Sequence, residues 1–155
     1  MNKLALFLIT CLLVSCSSPT PAPTSTPIPA NTPTLQFCDA NEINHFREQF
    51  MPLLQQYYDQ VMATRSAPKT SMAEEIDRMK EIRTNVESLN TNPCTIKLSF
   101  ALVNAMNSSI GGFLALLSGK PESQQEIFFD EGTKFIRQVN LELSRLADCK
   151  ENCKP

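Results

Sequence analysis

The chain has no tryptophan, a single histidine (His45) and only four glycines in 155 residues. Each scarcity removes a class of function. A ferritin-like di-iron bundle needs the Glu-x-x-His pair twice, plus carboxylates from two further helices. Glu42-Ile43-Asn44-His45 supplies that pair once, so such a metal centre cannot be completed. No Cys-x-x-Cys-His haem attachment is present, and no convincing Ser-His-Asp set can be built around one histidine. A glycine-rich phosphate loop needs a preceding strand, and no segment reads as a strand. No excess of positive charge exists either: 14 Lys and Arg stand against 16 Asp and Glu. That balance argues against a nucleic-acid partner and against electrostatic docking on anionic lipid. Catalysis has no visible foothold, and neither a cofactor nor a metal is expected.

Long apolar runs are also lacking. The stretch Leu4 to Val14 spans about 11 residues, whereas a membrane span needs about 20. With Lys3 before it and small residues behind it, the stretch has the three-part layout of a secretory signal. It ends in Leu13-Val14-Ser15-Cys16, which resembles the lipobox of bacterial lipoprotein precursors. That resemblance covers residues 1–16. It implies cleavage before Cys16, a diacylglyceryl group on the Cys16 thiol and an anchor on the extracytoplasmic face of a bacterial membrane. Two or three acyl chains, at about 0.8 kcal/mol per buried CH₂, hold a protein far more firmly than one would. Ser17 stands where the family's inner-membrane retention signal has aspartate, which leans toward an outer location. Removing residues 1–15 takes Lys3 away and moves the net charge from −2 to −3.

The next segment is rich in proline. Six of the eleven prolines lie between Pro19 and Pro33, among Ser, Thr and Ala. Such a segment has little to bury and favours extended polyproline II. Residues 16–36 therefore read as the lipidated cysteine and a disordered tether, which at about 3.1 Å per residue would reach about 60 Å.

From Phe37 the apolar spacing turns helical, and residues 37–155 read as one domain. Ile43, Phe46, Phe50, Leu53, Tyr57 and Val61 form one stripe behind Asp39 and Glu42, a capping-box pair. Pro52 inside that stripe predicts a kink or a restart. Met72, Ile76, Met79, Val86 and Leu89 form a second stripe behind Ser71 and Glu74, the same box. A third segment opens at Asn92-Pro93 and closes at Gly119, with Pro121 beyond. It is apolar over much of its circumference, so it is either the most buried helix or a surface that meets a partner. A fourth opens on Ser123 with Glu126 and carries Phe128, Phe135, Val139, Leu143 and Leu146. Short turns between amphipathic segments imply an all-α, antiparallel up-down four-helix bundle.

Four cysteines remain after Cys11 and Cys16: Cys38, Cys94, Cys149 and Cys153. An even count outside the cytoplasm reads as two disulfides. In an up-down bundle all four thiols stand at one end. Of the three connectivities, loop entropy favours joining Cys38 and Cys94 to Cys149 and Cys153, in either order, over Cys38–Cys94 with Cys149–Cys153, whose second bond closes a tiny ring. Three residues separate Cys149 from Cys153, which suits a structural bridge rather than a redox motif. The opposite end, at Arg65–Thr70 and Ser118–Ser123, would face outward with Lys69 and Lys120, as a place for a protein or envelope partner.

Gly111-Gly112, in mid-segment, costs about 1 kcal/mol per glycine against alanine. Close packing under a ring such as Phe50, Phe128 or Phe135 would explain the pair. A kink opening an apolar ligand pocket is the rival account, and a break into five shorter helices is a further one. The functional expectation is an envelope-anchored, non-catalytic binding or structural module. The alternative is a carrier of a small apolar ligand in the bundle core.

Overall fold

The computed structural model describes residues 38–149. These belong to one unit of the chain, Thr34–Pro155. The signal, Cys16, the tether and Cys153 lie outside the described residues. The domain is all-helical, with α1 Ala40–Ser66, α2 Met72–Glu87, α3 Ile96–Leu117 and α4 Glu122–Ala147, and no strand among the described residues.

α1 begins where Asp39, in extended backbone, accepts a hydrogen bond from the Asn41 amide at 2.6 Å. The cap expected from sequence is therefore formed, although Glu42 takes a bond from the Asn92 side chain at 3.3 Å. The helix runs through Pro52 without restarting, with that proline on its exposed side. Ile43, Phe46, Phe50, Leu54 and Tyr57 are its buried apolar face. α2 differs from expectation at its start. Ser71 has helical backbone angles and makes no side-chain cap; its hydroxyl donates to the Pro68 carbonyl instead. The Pro68–Ser71 turn has already claimed it.

α3 begins one turn later than Asn92, yet Asn92 organises its approach. The Asn92 Oδ1 accepts from the Cys94 and Thr95 amides at 3.0 and 3.1 Å, and Thr95 Oγ1 accepts from the Asn92 amide at 3.0 Å. The C-terminus closes as a Schellman motif. Gly119 sits at φ +68°, its amide bonds to Leu116 O, and the Lys120 amide bonds to Ala115 O at 2.9 Å. α4 starts at Glu122 behind Pro121, so Ser123 falls inside its first turn and caps nothing.

α3 is the most buried helix. Leu98, Ala101, Leu102, Ala105 and Met106 are fully buried on it, and Phe113 nearly so. By length and composition it could cross a membrane, but a little over half of its apolar window is buried inside the domain. Fully burying one such side chain stabilises by about 1.5–3 kcal/mol, so this helix is the main source of core energy. It packs most extensively on α4 and then on α2, while α1 rests on α2 and, less closely, on α3. α1 and α4 make little direct contact with each other.

The cysteine pairing corrects the expectation. Cys38 is joined to Cys94, with Cα atoms 6.2 Å apart, and both residues are buried. The crossed pairing with Cys149 and Cys153 is overturned, because native proximity decides which thiols meet. Cys149 is itself disulfide-bonded, with its partner outside the described residues. It packs against the edge of the core. The end of α4 is nevertheless close to the first disulfide, since Arg145 Nη2 donates to the Cys94 carbonyl at 2.6 Å while Arg145 Nε pairs with Glu142.

Candidate functional site

Because α1 and α4 both lean on α3 and barely touch, a space is left between them. It is a cavity of about 450 Å³, within the 300–1,000 Å³ range typical of small-molecule sites. α1 contributes Tyr57, Tyr58, Val61 and Arg65, residues that follow one face of the helix for about two turns. α3 supplies Ser109, Phe113 and Leu116, and α4 supplies Phe129, Gly132, Thr133 and Ile136. The walls are chiefly apolar, with a T-shaped Phe113–Phe129 pair whose ring centres are 5.2 Å apart.

Polar groups converge at one end. Tyr57 is 3% exposed and Ser109 6% exposed, and their hydroxyls lie 2.8 Å apart. Tyr57 Oη also reaches the Ala105 carbonyl at 3.4 Å. Burial pushes the Tyr57 phenol above its ordinary value, against a smaller opposing effect of the Ser109 bond, and nearby Tyr58 adds to the rise. Burial raises Tyr58 as well. Both phenols are therefore neutral hydrogen-bonding groups at physiological pH. At the other end stands Arg65, exposed at the last turn of α1. Among the described residues, no carboxylate, imidazole or thiol lines the cavity.

Gly111 and Gly112 are near this cavity but do not line it. A β-carbon on Gly111 would come within 2.8 Å of the Phe128 ring, and one on Gly112 within 2.8 Å of Phe129. The pair lets two rings of α4 lie directly on the α3 backbone. α3 stays one helix across it, so the chain does not break there into five helices. Sequence reasoning named Phe128 among the covering rings and missed Phe129, which both covers Gly112 and walls the cavity. Gly132 was missed too. It sits against Ser108, Ser109 and Ala105, with 3.5–3.6 Å between those residues and where its β-carbon would be. A lone glycine on the inner face of α4 was the available signal for that close approach.

The other sequence candidates stay apart from the cavity. His45 is exposed and hydrogen-bonded to Gln49 at 3.1 Å, one turn along α1. Among the described residues no cluster of three metal-ligating side chains occurs. Apart from those candidates, Glu75, Asp77, Arg78, Lys80 and Arg83 form ion pairs along α2. Lys69 and Lys120 are exposed in the turns after α1 and α3. Comparison with protein-family models, with curated proteins and with solved structures finds no match to this chain.

Proposed function

We propose that this chain is a non-catalytic, lipid-anchored binding protein of the bacterial cell envelope that holds a small apolar molecule between α1, α3 and α4. The carrying observation is the 450 Å³ cavity, walled by Phe113, Phe129, Leu116 and Ile136 and fitted with a few convergent polar groups. Its lack of carboxylate, imidazole and thiol favours holding over chemistry. In this reading Cys16 bears the lipid and residues 17–36 form the tether. The four helices form an antiparallel up-down bundle, with the Cys38–Cys94 end toward the membrane. Several contacts support that topology. Gln60 bonds Glu75, Ser99 bonds Val86, Gly112 meets Phe129 and Arg145 meets Cys94, each linking one helix's beginning to its neighbour's end.

The test is extraction of the full-length lipidated protein from native membrane, with mass spectrometry of its small-molecule content. The expected result is one compound in near-stoichiometric amount, lost in Thr133→Trp, where an indole from an exposed wall position fills the cavity. A compound retained equally by that variant refutes the cavity as its site.

A second reading is a protein or envelope partner docked at the outward turns, favoured by the exposure of Lys69 and Lys120. Affinity capture with both lysines changed to glutamate tests it. A partner that binds through this pole is lost from the charge-reversed protein and kept by Thr133→Trp.

A further inference from the structure

We infer that the ligand is a single-chain amphiphile with an anionic head, its tail among the aromatic walls and its head at Arg65. This rests on the cavity being a binding site, and deepens that reading by naming the ligand class. Three observations carry it. Arg65 is the one charged side chain in the lining, and among the described residues it has neither an ion-pair nor a hydrogen-bond partner. Both arginines of α2 have a carboxylate within reach; Arg47 and Arg137, like Arg65, have none among the described residues, and what sets Arg65 apart is its place in the lining. The polarity of the cavity is also split lengthwise. On α1 the lining runs from Tyr57 through Tyr58 and Val61 to Arg65, eight residues or about 12 Å at 1.5 Å per residue.

The third observation concerns the inner end. There the Tyr57 and Ser109 hydroxyls satisfy each other, so they demand no charged group, and burial keeps Tyr57 protonated. A charge placed at that end would have to be desolvated without a counter-ion, which is costly. At Arg65 the head remains half in water and gains a charge-assisted, bidentate partner. Orientation is thereby fixed: head outward, tail inward. A volume of about 450 Å³ is at the small end for ligand sites, which suits one chain and not the two of a membrane phospholipid.

The same chemistry is carried by a free long-chain carboxylate and by an anionic lysophospholipid. Equilibrium binding to the full chain with Cys16→Ser, which removes the lipid and leaves residues 17–155 unchanged, separates the cases. The probes are dodecanoate, 1-dodecanol and lauroyl lysophosphatidylglycerol, each below its micelle threshold. Expected is binding of dodecanoate about tenfold tighter than of 1-dodecanol, a difference abolished by Arg65→Gln. Whether dodecanoate or the lysophospholipid binds more tightly identifies the source. If acid and alcohol bind equally and Arg65→Gln changes neither, the head-group inference is overturned while the cavity stands. If no probe binds the parent protein, or Thr133→Trp binds all of them as well, the cavity reading itself falls.

Discussion

The Phe129 ring lies against the backbone of Gly112 so closely that a β-carbon there would be 2.8 Å from it. The ring is also held edge-on by Phe113 and faces the cavity, so a β-carbon at Gly112 would push it away from that contact and into the cavity. Gly111 stands in the same relation to Phe128, but Phe128 is 37% exposed and can swing toward solvent.

Alanine at the two positions should therefore behave differently. Both substitutions gain about 1 kcal/mol of helix propensity. At Gly112 the overlap displaces Phe129 from its contact with Phe113, at about 1–3 kcal/mol, so Gly112→Ala should be net destabilising and should narrow the cavity. At Gly111 the ring rotates away, and the net change should be near zero. Urea unfolding of both variants checks this. Equal destabilisation would show that Phe128 is as constrained as Phe129.

The Cys38–Cys94 bond closes a loop with a sequence separation of 56. By the loop-entropy relation it should stabilise the domain by about 4 kcal/mol. Replacing both residues by alanine, rather than one, avoids a stray thiol, and the loss should appear as a lowered urea midpoint. Peptide mapping of oxidised protein should find the segment containing Cys38 joined to that containing Cys94. Recovery of Cys38 linked to Cys149 would contradict the fold at the entry to α1.

Much of this architecture was legible in the residues, and the exceptions have physical causes. The α1 stripe of Ile43, Phe46, Phe50 and Tyr57 was readable because spacing of three and four depends on the helix alone. So was the closure at Gly119, which local backbone geometry demands. The disulfide was misjudged because loop entropy separates the pairings weakly; doubling a loop is worth only about 0.6 kcal/mol. What decides is which cysteines the packed helices bring to a Cα separation of 6.2 Å, and that is not local. The cavity was invisible for the same reason. Its walls come from three helices, and which residues of each meet there depends on how the helices pack on one another, not on any one stripe. The glycines of α3 did stand out in the sequence as a place for a ring of a neighbouring helix to pack closely, and two rings of α4 do so.

Two positions that look alike in sequence should part company on mutation. Ser71 and Asn92 both precede helices in capping positions, but only Asn92 makes side-chain bonds to the amides beyond it, at 3.0 and 3.1 Å. Loss of such a cap costs about 0.5–2 kcal/mol. Asn92→Ala should fall in that range, with added loss from Thr95, whose hydroxyl is bonded to the same residue. Ser71→Ala should be within a few tenths of neutral, since Ser71 caps nothing. Thermal unfolding of the two variants side by side decides it. A costly Ser71→Ala would mean that the extended cap geometry is adopted in solution.

The buried phenol makes an alkaline prediction whose sign comes from proton counting. Below pH 10, the ordinary tyrosine value, Tyr57 is protonated in folded and unfolded chains alike, and stability does not depend on it. Above that value the unfolded chain releases the proton first, because burial holds the folded phenol higher. Stability must then fall with rising pH, by up to about 1.4 kcal/mol per pH unit for this one proton, until the folded value is passed. Tyr58, raised by burial as well, bends the curve the same way. Tyr57→Phe should remove most of this slope while costing about 0.5–1.5 kcal/mol at neutral pH through the lost bond to Ser109. Urea midpoints from about pH 8 to about pH 11.5 for the parent and the variant read both effects. Parallel curves would show that Tyr57 ionises as freely in the fold as out of it, and hence that this end of the cavity is open to water.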